Sequence, residues 1–244
     1  MAFQIQYAEE SDAPALARIN ILSFETQGLL QALFPGAETP ALELHKANNY
    51  MKHLANRQMH VVKVTDPLTG ELVGNARWQL PEAIWPRDQI PALSEKAQEI
   101  AQDPMRLAPR PRNEALFAGF RTMLEHYRKK YLRETDLLLD FLATTPSYQG
   151  RGVGSALLRW GTAKADEKQL RIYLEATEAG YPVYVKHGWK VVEEVFFDRE
   201  QFGGHGRDRF ILMMRDPKPL AKSGCQAPSQ VDPDLPGFNV LATR

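Results

Sequence analysis

A single cysteine, Cys225, occurs in 244 residues. One thiol cannot close an internal disulfide, and such sparing use of cysteine fits a reducing compartment better than a secreted, disulfide-stapled domain. An excess of charge of either sign is also missing, since 30 basic residues face 30 acidic ones. Without a long-range field to draw polyanions, neither nucleic acid nor an anionic membrane is an expected partner. The local basic group of Arg106, Arg110 and Arg112 leaves open an acidic protein partner, although a solvated loop accounts for it. Apolar runs stop short of membrane-spanning length: the longest, 137–143, is strand-sized and contains Asp140. No basic and apolar leader is legible over 1–20, so the expected location is cytoplasmic. His, Cys, Asp and Glu show no metal-ligand spacing, so no metal is expected. What is present is ordinary: 43% apolar and 25% charged residues, the composition of a soluble globular protein. The length suits one large domain or two small ones.

Alternation of apolar and polar residues predicts a strand over 3–8. Glu9-Glu10-Ser11-Asp12 then offers capping oxygens and Pro14 suits a first turn, so a helix follows. Leu16, Ile19, Leu22, Ser23 and Gln27 recur at helical spacing until Phe34-Pro35-Gly36 stops it. A second helix is expected over 39–57, with Pro40 in its first turn and Leu42, Leu44, Tyr50, Met51 and Leu54 on its apolar face. Residues 59–64 and 71–80 read as a hairpin across Asp66-Pro67-Leu68-Thr69-Gly70. Prolines at 81, 86, 91, 104, 109 and 111 mark 81–136 as an insertion with irregular ends. It holds a helix capped by Asn113, with Leu116, Phe117, Phe120, Met123, Leu124, Tyr127 and Tyr131 on one face.

Residues 137–145 are apolar on both faces except at Asp140, as in a strand buried within a sheet. Pro146 ends it. A loop over 147–154 leads to a helix from Ser155 to about Lys168 and then to a strand over 170–176, a β-α-β unit whose two strands should be parallel. A short helix over 181–187 ends at Gly188, and two strands follow over 189–197 and 209–215. The connection between them carries Gly203, Gly204 and Gly206 and is expected to be a mobile surface loop. From Asp216 onward no periodicity is visible.

The chemistry concentrates at Gly150, Gly152 and Gly154, between a buried strand and a helix start. Alternate glycines let the backbone approach a ligand and turn several N–H groups outward, which suits a phosphate. The helix N-terminus adds its dipole and Arg151 a full charge. A plain tight turn would also explain the glycines. A Walker loop is excluded because no Gly-Lys-Ser/Thr follows. The dinucleotide fingerprint fits poorly: Pro146 to Gln149 separate the loop from its strand, and the unit lies past mid-chain.

Gln149-Gly150-Arg151-Gly152-Val153-Gly154 resembles the Gln/Arg-x-x-Gly-x-Gly/Ala acyl-CoA signature of the GNAT superfamily of N-acetyltransferases. Val183-Tyr184-Val185-Lys186-His187-Gly188-Trp189 is similar to that family's Leu-Tyr-x-x-x-Gly-Phe segment. The resemblance covers about 3–80 and 137–215. It implies an α/β GNAT-like (acyl-CoA N-acyltransferase) fold, with a mixed, mostly antiparallel, splayed central sheet flanked by helices and a helical insertion between the third and fourth strands. In this view 1–215 is one domain, 81–136 the insertion within it and 216–244 a C-terminal extension.

The resemblance further implies acetyl-CoA as cosubstrate, its pantetheine paired to the strand edge at Leu142, Ala143 and Thr144. The pyrophosphate would lie on Gln149, Gly150, Arg151, Gly152, Val153, Gly154 and Ser155. Transfer would proceed by direct attack of a primary amine in a ternary complex, with no covalent enzyme intermediate. Tyr184, at the position of the family's catalytic tyrosine, is the candidate proton donor. Asp140 is a candidate base: by alternation it shares a face with Leu138, Leu142 and Thr144, and burial would raise its pKa. A structural carboxylate bonded to backbone or an arginine is the other reading of Asp140. Glu175 could take the amine proton through water, or pair with Arg171 or Lys190. Thr177 stands where the family often has Asn or Ser, and Pro182 is expected to shorten its helix. His205 reads as a solvated loop residue, and Cys225 lacks the surroundings of a nucleophile. The charge balance favours a small-molecule amine over a protein acceptor, and the protein is expected to be a monomer or homodimer. A non-catalytic acyl-CoA-binding regulatory module of the same fold and a nucleotide-binding oxidoreductase remain the alternative functions.

Overall fold

The computed structural model describes residues 3–24, 28–81, 85 and 89–219. Gln27, Pro86 and Cys225 lie outside them. Seven strands, β1 (Gln4–Tyr7), β2 (Met59–Thr65), β3 (Leu72–Gln79), β4 (Leu137–Thr144), β5 (Ile172–Thr177), β6 (Lys190–Asp198) and β7 (Arg207–Arg215), form one sheet in the order β1-β2-β3-β4-β5-β7-β6. Neighbours are antiparallel except β4 and β5, which the crossover between them makes parallel. Around the sheet pack α1 (Ala13–Phe24), α2 (Leu29–Leu33), α3 (Thr39–Ala55), α4 (Glu95–Gln102), α5 (Glu114–Tyr131), α6 (Val153–Glu167) and α7 (Tyr181–Lys186). The sheet is mixed and mostly antiparallel, as the motifs imply.

The joint between β4 and β5 positions everything that follows. Only Leu137 with Ile172 and Leu138 with Tyr173 are in register there. Past these pairs β5 stays paired to β7 through Thr177, and β4 stays paired to β3 through Thr144. Between them the sheet opens into a V. Opposite β3, the chain of β4 also slips by one residue: Arg77 faces Phe141 but Trp78 faces Leu139, so Asp140 is the extra residue of a bulge.

The two faces of the sheet are covered differently. On one, α6 buries Leu157 and Leu158 against Trp78, Ala76, Leu137 and Leu139. Close approach there requires Gly161, where an added Cβ would lie 2.4 Å from the indole of fully buried Trp78. Gly161→Ala should therefore destabilise by about 1–3 kcal/mol despite alanine's better helix propensity. A lowered urea midpoint with unchanged slope is the expected observation. On the other face α1 and α3 cover β2 and β3, while α5 sets Met123, Tyr127 and Tyr131 against Leu138, Tyr173 and Met214. The insertion thus supplies part of the core, with Leu116 fully buried.

Several local expectations change. One helix was expected before Phe34, but Gly28 in the left-handed region (φ +70°) starts a separate α2. Leu44 is half exposed, and His45 takes the buried place beside it. The insertion holds a second helix, α4, whose first turn is capped by Ser94 Oγ accepting from Ala97 N–H at 3.2 Å. Helix α6 begins at Val153 rather than Ser155, because Gly152 (φ +89°) serves as its cap. Pro182 sits in the first turn of α7, where its missing N–H costs nothing. The glycine-rich connection after β6 is built on a 3-10 turn, Arg199–Phe202. Phe202 stacks on Phe197, and Arg199 pairs with Asp208 at 3.3 Å.

Candidate active site

A cavity of about 990 Å³ occupies the V and continues onto the face of the sheet covered by α1, α3 and α5. Its first half is backbone. Leu142, Ala143 and Thr144 line it along the unpaired edge of β4, and Gln149, Gly150, Gly152, Val153, Gly154 and Ser155 line it from the loop and the first turn of α6. Gly150 and Gly152 adopt positive φ (+73° and +89°) with open space where a Cβ would be. At Gly154 a Cβ would meet only Thr144 Oγ1 and Leu142, at 3.8 and 4.0 Å. The first turn of a helix has N–H groups without intrahelical partners, and here they open onto the cavity. An elongated anionic ligand fits this cradle.

Of the expected loop contacts, Arg151 alone does not line the cavity. Its guanidinium lies 5.0 Å from the centre of the Tyr148 ring. Tyr148 in turn donates its hydroxyl to Asp66 Oδ2 at 2.7 Å, tying the loop to the β2–β3 turn. On the far side of the cradle, Ser155 Oγ and His187 Nε2 are 3.0 Å apart. Burial, with Arg159, Arg215 and Lys218 nearby, lowers the pKa of His187.

Tyr184 lines the cavity from α7 with 8% of its surface exposed. Its ring packs edge-on against Trp189 and fills the space where a Cβ on Gly180 would lie, 2.9 Å from Cε2. Burial raises its pKa well above the ordinary phenol value, so the hydroxyl stays protonated.

The second half of the cavity is charged. Arg128, on α5, reaches across the opening of the V to both strands. Its Nε and Nη2 donate to the two oxygens of Glu175 on β5, at 2.9 and 3.0 Å, and Nη2 also donates to Asp140 Oδ1 on β4, at 3.2 Å. Arg77 Nε donates to the other Asp140 oxygen at 2.9 Å. The Arg77 guanidinium itself stacks on Phe141, 4.4 Å from the ring centre. Two expectations about Asp140 are corrected here. The bulge puts its side chain with Arg77 and Phe141, whereas Leu142 and Thr144 share the α6 face with Leu139. Its pKa falls to about 2, because Arg77 and Arg128 together outweigh the burial that would raise it. Glu175 takes Arg128 as its partner, while Arg171 pairs with Asp136.

Three cavity residues were not singled out from the sequence. Arg77 interrupts a buried run, 73–80, in which Val73, Asn75, Ala76, Trp78 and Leu80 are all inside. Arg128 lies on the helix face assigned as apolar, one residue past Tyr127. Lys46 sits four residues from both Leu42 and Tyr50, on the buried stripe of α3. In each case the signal was a cation inside an apolar pattern. Among the described residues no group of His, Cys, Asp and Glu could hold a metal ion, and no helix is long and apolar enough to cross a membrane.

Residues 113–191 match the family model described as Acetyltransferase (GNAT) domain. That segment contains α5, the glycine loop, β5 and Tyr184. An "Acetyltransferase" from Stachybotrys chartarum is 24% identical over 197 residues, covering 78% of this chain and 82% of that protein. Among solved structures, "histone acetyltransferase HPA2 and related acetyltransferase" from Corynebacterium glutamicum superposes with a TM-score of 0.56 at 20% identity, covering 90% of this chain and 99% of the other. An acetyltransferase from Thermus thermophilus does so with a TM-score of 0.51 at 16% identity, over 88% and 97%. The fold of this chain is that of these acetyltransferases. Residues 113–191 thus resemble a GNAT acetyltransferase domain, and the chain is similar over most of its length to a protein named as an acetyltransferase.

Proposed function

We propose that the protein transfers an acetyl group from acetyl-CoA to the primary amine of a small molecule, within the cavity of the V. The observation that carries this reading is the continuity of that cavity, which runs from the Gly150–Ser155 cradle past the Tyr184 hydroxyl to the arginine-lined chamber. The donor's pyrophosphate lies on the α6 N-terminus and its pantetheine along Leu142, Ala143 and Thr144. That sets the thioester at the mouth of the V. The neutral amine attacks the thioester carbonyl carbon, a C–N bond forms and the C–S bond breaks. Tyr184 gives its proton to the departing thiolate, and water returns to Tyr184 the proton that the amine loses.

Asp140 and Glu175 act as positioning groups in this scheme. Both are committed to Arg128, and a carboxylate with a pKa of about 2 is too weak a base to hold a proton at neutral pH. The protein is one domain over 1–215 whose insertion builds the acceptor wall through Phe120, Leu124 and Arg128. Acetyl-CoA-dependent thiol release across a panel of amines, with mass detection of the acetylated product, tests the reading. Product formation with at least one small amine is expected. CoA binding without turnover on any amine would favour the non-catalytic module, and thermal stabilisation by NAD but not by CoA would favour the oxidoreductase.

A further inference from the structure

Lys46 is the residue the transfer chemistry leaves unused. It projects from the buried stripe of α3 into the acceptor half of the cavity. Among the described residues its ammonium has no carboxylate or carbonyl partner, although it is half-buried. A charge so enclosed is costly unless something pairs with it. Its charged neighbour makes matters worse: Arg77 has the same sign, and together with burial it brings the Lys46 pKa down to about 8. The other ionisable groups of this wall do not help, for burial keeps His53 and His45 neutral, at about 3 and about 4. The carboxylates that line the cavity are already taken, Asp140 by Arg77 and Arg128, Glu175 by Arg128, Glu178 by Arg209 and Asp208 by Arg199. Within the group formed by Lys46, Arg77, Arg128, Asp140 and Glu175, the charge left without a carboxylate is the one on Lys46.

We propose that the acceptor is a small amino acid, an amine that also bears a carboxylate, and that Lys46 beside Arg77 receives this carboxylate while the amine faces the thioester. This rests on the reading of the cavity as the acetyl-acceptor site. An anion there restores charge balance, and a charge-assisted bond in an enclosed site is strong enough to govern selection. Arg77 itself is held in place beside Lys46 by the strand opposite the bulge and by its stack on Phe141.

The experiment has a catalytic and a binding arm. In the first, amino acids of graded size are compared with their carboxamides as acetyl acceptors. The wild type should favour the acids by about 10-fold to 100-fold in kcat/KM, the range expected for one charge-assisted bond. Lys46→Met should bring that ratio close to one. Equal use of acids and amides by the wild type, or an unchanged ratio in the variant, would overturn the proposal while leaving acetyl transfer intact. In the second arm, calorimetric binding of N-acetylglycine, N-acetylphenylalanine and N-acetylglutamate is measured in the presence of CoA, against their carboxamides. Carboxylate binding that Lys46→Met abolishes supports the site even if no tested amine turns over. Failure of every acid to bind more tightly than its amide overturns it.

Discussion

Tyr184→Phe should lower kcat by about 100-fold or more, the usual contribution of a positioned general acid, and leave the KM for acetyl-CoA within about twofold. The substitution is conservative for structure. The ring packs on Trp189 and against Gly180, and phenylalanine keeps both contacts. Only the hydroxyl is lost, and the rest of the cavity lining is unaltered. Because burial raises the phenol's pKa, the wild-type group remains a donor throughout the neutral range, and no alkaline fall in kcat should trace to it. Steady-state kinetics with the best acceptor and varied acetyl-CoA make the comparison. An unchanged kcat would remove Tyr184 from the mechanism.

Arg128→Met carries the largest expected effect on stability. Among the described residues Arg128 is the one side chain that bonds a carboxylate on each arm of the V, and both carboxylates are well buried, with side chains 15% exposed for Asp140 and 7% for Glu175. Its removal leaves Asp140 with Arg77 and strips Glu175 of a partner that bonds both of its oxygens. Breaking a buried pair from one side costs several kcal/mol, and since Arg128 is 27% exposed about 2–4 kcal/mol is expected. Arg128→Lys should recover only part of this, because an ammonium cannot reproduce the forked contact. The pH dependence follows from Asp140. Its pKa is lowered on folding from 3.8 to about 2, so its contribution is complete above about pH 4 and disappears as pH falls toward 2. That contribution is about 2 kcal/mol. With Arg128 gone the folded-state pKa rises toward the unfolded value, so the acid-dependent part of the loss should shrink. Unfolding midpoints measured at pH 7 and at progressively lower pH test both statements, and equal stability of variant and wild type at pH 7 would refute the first.

Much of the glycine-lined half of the cavity was legible because it is written in local chemistry. Alternate glycines after a buried strand leave few readings, and Gly150, Gly152 and Gly154 stand where that pattern put them. The hairpin across Asp66 to Gly70 and the helix capped by Asn113 were legible for the same reason: turn and cap residues act on their immediate neighbours. The acceptor half was not. Arg77, Arg128 and Asp140 lie on three elements far apart in the chain, and nothing in a single strand tells which cations will surround a carboxylate. The face of Asp140 was misread through the bulge, since alternation carries no warning that one residue will be skipped. The start of α2 was hidden in Gly28, where a Cβ would lie 2.9 Å from the guanidinium of Arg199, a residue far away in the sequence.

The bracing of the glycine loop has a thermodynamic side. Tyr148 is anchored to Asp66, Arg151 lies over Tyr148, and Ser155 is within bonding reach of His187. A cradle held in shape by its own side chains loses little conformational entropy on binding, so in the proposed reaction the donor's affinity would come from contacts with little offset from ordering. The nucleotide end of the donor can then serve as a rigid handle. Whatever binding energy it supplies is available to hold the thioester still at the mouth of the V, where small displacements decide the rate.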